Sequence, residues 1–145
     1  MSFQRLYEDK VSEDKLYDIV SEMQDYNEAI RENNTYPYHY FLSPLRHNLF
    51  NWYPFKKEGS LLEIGAGYGQ LTSLFAEKLD HVVAVEDSQS KCKIISKRVE
   101  DATVLVSDFD NLELKGFSSD GIFCFRDDLI CRSTVEAYRN GKGWL

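Results

Sequence analysis

Ser60-Leu61-Leu62-Glu63-Ile64-Gly65-Ala66-Gly67-Tyr68-Gly69-Gln70-Leu71-Thr72 packs several structural signals into one short run. Leu61 to Ile64 reads as a short buried strand with one acid, Glu63, inside it. Three glycines at alternate positions follow at once. Leu71, Leu74, Phe75 and Leu79 then repeat at helical spacing. Strand, glycine turn and helix in that order form the first half of a nucleotide-binding unit. Glycine has no Cβ, so it takes positive φ in a tight turn and lets the backbone come close to a ligand. The helix that opens at about Gln70 points N–H groups at the same place.

The spacing separates two readings. A dinucleotide fingerprint, G-x-G-x-x-G, needs its third glycine three residues after the second. Gln70 occupies that slot here, and the extra glycine is Gly69. Glu63 stands two residues before the first glycine. The pattern E-x-G-x-G-x-G resembles the first motif of the class I S-adenosylmethionine-dependent methyltransferases. The resemblance implies that Glu63, Gly65, Ala66, Gly67 and Gly69 form the methionine end of a site for S-adenosyl-L-methionine, with no pyrophosphate to hold. The plainer alternative is a turn that only joins strand to helix.

Downstream, His81-Val82-Val83-Ala84-Val85 is a β-branched run closed by Glu86. A parallel strand buried on both faces reads this way. A carboxylate there can accept hydrogen bonds from both ribose hydroxyls. The resemblance gives that role to Glu86, with Asp87 as the alternative by one register. The bland reading is a surface acid at a strand end. Ser88 is the expected N-cap of a helix with Cys92, Ile95 and Val99 inward, and Thr103 to Val106 is a third strand. In the family an acid just past that strand meets the adenine amino group and an apolar neighbour packs on the ring. Asp108 and Phe109 match by position, in a motif that is short and common.

Upstream, Ser12 is the expected N-cap of a helix with Glu13 and Asp14 in its first turn. Leu16, Ile19, Val20, Met23 and Ile30 share one face, and Asn33-Asn34-Thr35 ends it. Such a helix covers a core or forms a lid. The aromatic run Tyr36-Pro37-Tyr38-His39-Tyr40-Phe41 belongs to core or interface, or shapes a pocket. Ser43-Pro44 then starts a second helix, carrying Leu45, Leu49, Phe50 and Trp52 and ending before Pro54. Leu42 to Leu49 with Trp52 to Phe55 is similar to the lead-in of bacterial surface-polysaccharide-associated methyltransferases. Arg46 or His47 either faces the cofactor carboxylate or plays a solvated or capping part.

The 145 residues suit about one domain. With 43% hydrophobic and 28% charged residues the chain has a globular composition. A net charge of −7 argues against a nucleic-acid substrate. No apolar run has the length of a membrane span, and the N-terminus is too polar for a signal peptide. Cys92, Cys124 and Cys131 lack metal-ligand spacing, so no metal is expected, and their number suits a reducing cytoplasm.

Ile122 to Phe125 is a fourth strand, after which Arg126-Asp127-Asp128 leads into a polar tail. The resemblance covers roughly residues 36–123, most securely 60–109, and does not identify a general base. The expected fold is α/β: a Rossmann-like three-layer sandwich on a mainly parallel sheet ordered 3-2-1-4, a truncated form of the family's seven-stranded sheet. The expected divisions are an N-terminal helical cap (1–55), a cofactor-binding core (56–125) and an atypical tail (126–145). Three function classes stay open. One is a methyltransferase acting on a small molecule such as a sugar or polysaccharide precursor. Another is a cofactor-binding module, inactive alone and completed by a partner chain or a second copy at its sheet edge. The last is a nicotinamide-dependent protein, which Gln70 disfavours.

Overall fold

The computed structural model describes residues 11–23, 25–108 and 121–124. The helices are α1 (Glu13–Glu22), α2 (Asn27–Asn33), α3 (Tyr36–Leu42), α4 (Gln70–Lys78) and α5 (Gln89–Arg98). The strands are β1 (Ser60–Ile64), β2 (His81–Glu86), β3 (Thr103–Val106) and β4 (Gly121–Cys124). They pair in parallel in the order β3-β2-β1-β4, as the sequence predicts. Parallel neighbours need crossover connections, and α4 and α5 supply the first two.

The apolar runs explain the central strands. Leu61, Leu62 and Ile64 of β1 and Val82 to Val85 of β2 are all buried, as expected of strands covered on both faces. Register aligns Leu61 with Val82 and Glu63 with Ala84, and alternation puts these four on one face. Leu71 and Phe75 of α4, with Leu79 just past its end, pack there on Leu61 and Val82, while Ile95 of α5 packs on Ala84. Ser88 caps α5 as expected, its hydroxyl accepting from the Lys91 N–H at 3.4 Å. Cys92 is buried on that helix, and desolvation pushes its thiol up to about 11, which suits a packing role.

The N-terminal region corrects one expectation. The residues expected in a single long helix form two. Ser12 does cap α1, its hydroxyl accepting from Lys15 N–H at 3.4 Å. The helix ends at Glu22, and α2 restarts at Asn27. Asp25 explains the restart, because its Oδ1 accepts from the Asn27 backbone N–H at 2.9 Å and the Asn27 side-chain amide at 2.6 Å. Short polar side chains compete with the helix ladder in this way. Asn34, at φ 32°, ends α2 in the left-handed region.

The aromatic run is α3. Tyr38 and Phe41 are buried in one cluster with Leu16, Ile30, Tyr68 and Ile94, so these two belong to the core. The segment after Ser43-Pro44 is a 3-10 turn over Pro44–Leu49, and it does not bury the expected apolar face. Leu45 and Trp52 are 71% and 74% exposed, and only Phe50 packs inward, edge-on to Phe75 at 5.5 Å. The tighter 3-10 winding has three residues per turn, so it breaks the face that α-helical spacing implied.

Candidate functional site

The strand order reverses direction at β1, which has β2 on one side and β4 on the other. Open parallel sheets bind ligands at the carboxyl end of such a strand. The glycine turn lies there, and all three of its glycines take positive φ: 77° at Gly65, 61° at Gly67 and 78° at Gly69. This is backbone that L side chains rarely adopt, so the alternation of glycines is a conformational demand.

The turn fills its own donors. Gly65 and Ala66 N–H groups both donate to Val85 O, at 2.8 and 3.1 Å. Gly67 N–H donates to Glu86 Oε2 at 2.8 Å, and Tyr68 N–H to the Gln70 side-chain oxygen at 3.3 Å. Gly69 N–H donates to Ala66 O at 3.0 Å. Gln70, the residue that breaks the dinucleotide pattern, therefore occupies an amide the turn would otherwise present. From 65 to 69 every N–H is bonded within the chain.

A shallow notch opens beside the turn, lined by Arg46, Glu63, Gly65, Ala66, Gly67, Gln70 and Leu71. Arg46 is the feature that sequence reasoning left undecided. The 3-10 turn puts it in the notch, where its Nη1 donates to the Tyr40 hydroxyl at 3.1 Å and its guanidinium lies 4.9 Å from that ring's centroid. Neighbouring His47 takes the positioning part, its Nε2 lying 2.8 Å from Gln70 O and 3.2 Å from Ser73 Oγ. Gly69 lies off the notch, and a Cβ there would sit 3.5 Å from Arg98 Cδ and from Ile95.

Two buried acids flank the turn. Glu63 is 2% exposed, and desolvation pushes its carboxyl up to about 8 against the opposing pull of the Thr72 hydroxyl and Arg46. Thr72 donates to Glu63 Oε2 at 2.5 Å. Glu86 is also buried and raised, first by desolvation and then by its hydrogen bond with the Asp87 side chain. Its Oε1 accepts from Asp87 and Ser88 N–H groups at 3.2 and 3.3 Å. The backbone amides of Gly67, Asp87 and Ser88 thus hold the Glu86 carboxyl in place from both of its oxygens. Asp108 is exposed just past β3, where Ser107 N–H donates to Glu86 O at 3.1 Å and draws that strand end to the site. Phe109 lies outside the described residues.

Among the described residues no His, Cys, Asp and Glu cluster could hold a metal ion, and no helix is long and apolar enough to cross a membrane.

Fold and turn together define a class: an α/β protein whose parallel sheet carries a glycine turn and a shallow notch at the carboxyl end of its central strand. A family model described as a methyltransferase domain matches residues 61–140, more than half of the sequence. The chain belongs to the methyltransferase-domain family. No curated protein matches it. Among solved structures it is similar to phosphoethanolamine N-methyltransferase 1 of Haemonchus contortus, determined with phosphoethanolamine and S-adenosylhomocysteine, at TM-score 0.60 and 19% identity over 100% of this chain. It is also similar to a dimethyladenosine transferase from Plasmodium falciparum, at TM-score 0.53 and 17% identity over 63% of this chain. These likenesses establish the fold. The chain spans 31% and 34% of the length of those two proteins.

Proposed function

We propose that this chain binds S-adenosyl-L-methionine at the glycine turn and serves methyl transfer to a small molecule, a sugar or polysaccharide precursor. The closed set of amide bonds from 65 to 69 carries the cofactor part of this reading. A diphosphate needs outward N–H donors at such a turn. A sulfonium amino acid needs close backbone approach, which glycine φ values supply. For the acceptor, the support is the resemblance of the segment from Leu42 to Phe55 to polysaccharide-associated methyltransferases.

The residues present fit that cofactor. Gly65, Ala66 and Gly67 border the methionine end, and Arg46 lends the notch a positive charge suited to a carboxylate. Glu86 at the end of β2 would meet the ribose, with Asp87 beside it, and Asp108 just past β3 would meet the adenine amino group. When bound, S-adenosylmethionine supplies an activated methyl group. The chain's own contribution is orientation and a dry, pre-organised wall. Nothing in the site singles out a general base.

Titration calorimetry tests this directly. S-adenosylhomocysteine should give saturable heat and NAD none. Glu86→Ala should weaken binding by about 1.5–3 kcal/mol, the range for hydrogen bonds to a charged group. Folded protein that binds NAD, or that gives no heat with millimolar S-adenosylhomocysteine, defeats the proposal.

A second reading has its own observation. In the described sheet, β4 pairs with β1 alone, and the chain covers only a third of its structural neighbours. An open strand edge invites pairing with another chain. On this reading the chain is a cofactor-binding module completed by a second copy or a partner. Light scattering should then show association rising with concentration. A monomer that transfers labelled methyl to a small acceptor excludes it.

A further inference from the structure

Arg98 ends α5, and its guanidinium reaches two segments far from it in sequence. Nη1 donates to Phe41 O at 2.7 Å and to Tyr68 O at 3.2 Å. Phe41 lies in the last turn of α3, where a helix leaves its carbonyls without intrahelical partners. Tyr68 sits between the second and third glycines. The Arg98 stem runs beside Gly69, close enough that an added Cβ would stand 3.5 Å from Cδ. Its guanidinium also lies 5.2 Å from the Tyr26 ring centroid. Its Nε is buried and has no hydrogen-bond partner among the described residues.

A polar group placed without full pairing is costly, and burial pulls this guanidinium down to about 10. Packing alone would be served by an apolar side chain. What an apolar side chain cannot do is hold two carbonyls of separate segments at once.

Tyr68 makes a second link by different atoms. Its hydroxyl donates to Glu13 Oε1 of α1 at 3.1 Å, and its ring meets Phe41 edge-on at 4.6 Å. The ring is 2% exposed. The turn residue that points away from the notch is thus embedded in the N-terminal helices.

We propose that Arg98 is a positioning residue that couples the N-terminal helices to the glycine turn, so that docking of α1 to α3 and cofactor binding favour one another. Arg98 is not among the residues that line the notch. It acts through Tyr68, whose carbonyl it holds, and so through the φ values of Gly67 and Gly69 on either side. Coupling of this kind is reciprocal. Cofactor binding must then quiet α3 as well as the turn. The inference rests on the cofactor reading above, and its test separates the two.

Arg98→Met keeps the stem and removes both hydrogen bonds, whereas Arg98→Lys keeps the charge and reaches one carbonyl at a time. Two quantities are read on intact protein well below its melting temperature: affinity for S-adenosylhomocysteine, and amide exchange at Gly67 to Gly69 and at His39 to Ser43. For Arg98→Met we expect affinity to fall roughly tenfold and both segments to exchange roughly tenfold faster, within the usual span of coupling. Exchange in β1 and β2 should stay unchanged. Arg98→Lys should fall between. In the wild type, S-adenosylhomocysteine should slow exchange in α3, and in Arg98→Met that slowing should disappear.

A merely structural role lowers the melting temperature of Arg98→Met but leaves affinity and local exchange of the folded protein as in the wild type, and that result overturns the coupling. Should Arg98→Met fail to fold, Arg98→Lys decides on the same measurements. A wild type that binds no S-adenosylhomocysteine refutes the cofactor reading, and exchange at the two segments in the variants still decides whether Arg98 links them.

Discussion

Gly67→Val should abolish detectable cofactor binding and leave most of the fold in place. Gly67 sits at φ 61°, where a β-branched residue is a genuine outlier. Holding valine there costs on the order of 1–3 kcal/mol. The turn can relieve that strain only by rotating the peptide whose N–H donates to Glu86 Oε2. Relief therefore frees the Glu86 carboxylate and moves the backbone that borders the notch. Cβ and two methyl groups would also intrude on a wall made for close approach. The sheet cores around Leu61, Phe75 and Val82 and around Ala84 and Ile95 do not include this residue. Calorimetry with S-adenosylhomocysteine should show at least a hundredfold loss, about 2.7 kcal/mol, while the far-ultraviolet dichroism stays near the wild-type spectrum. Normal binding by the valine protein would make the turn a structural joint only.

Glu63→Gln should stabilise the protein at alkaline pH and flatten its pH dependence. The Glu63 carboxyl is raised from 4.5 to about 8, chiefly by desolvation. Between those values the folded chain holds a proton that the unfolded chain has released. Stability from this group is therefore greatest below about pH 4.5 and declines as pH rises towards 8. The limiting slope is about 1.4 kcal/mol per pH unit, so the full span is several kcal/mol at most. Glutamine keeps an oxygen for the Thr72 hydroxyl and carries no ionisable proton. Urea midpoints at pH 5, 6.5 and 8 should fall in the wild type and fall much less in Glu63→Gln, with the variant the more stable at pH 8. Parallel declines in the two proteins would show that Glu63 is ionised throughout.

The core strands and the glycine turn were legible because their signals are local. Val82 to Val85 announces a strand by itself, and the E-x-G-x-G-x-G string announces the turn. The cap of α5 was equally plain in Ser88. What escaped depends on competition or on distance. Leu16 to Ile30 keeps one apolar face across a break, so periodicity alone ran through the gap, and Asp25 was the available sign of a restart. The 3-10 winding after Pro44 was hidden because its apolar residues look α-helical in spacing, although Leu45 and Trp52 are left in solvent. Winding also decided Arg46, which periodicity could not aim at the notch. Arg98 gave no signal, because its partners Phe41 and Tyr68 are backbone carbonyls and any residue has one. Gln70 was read only as a missing glycine, when its side chain closes the Tyr68 amide.

The register of the central strand has a kinetic consequence. Leu61 pairs with Val82 on one side and with Gly121 on the other. The first contact closes a loop of about 20 residues and the second one of about 60, a difference of about 1 kcal/mol in closure entropy. Non-local parallel pairing is slow for the same reason. The crossover unit of β1, α4 and β2 is therefore expected to assemble first during refolding, with β4 joining after it. Until it arrives, one edge of β1 stands open at the end that carries the glycines. The interval is a race between the chain's own closing strand and any other chain that offers one.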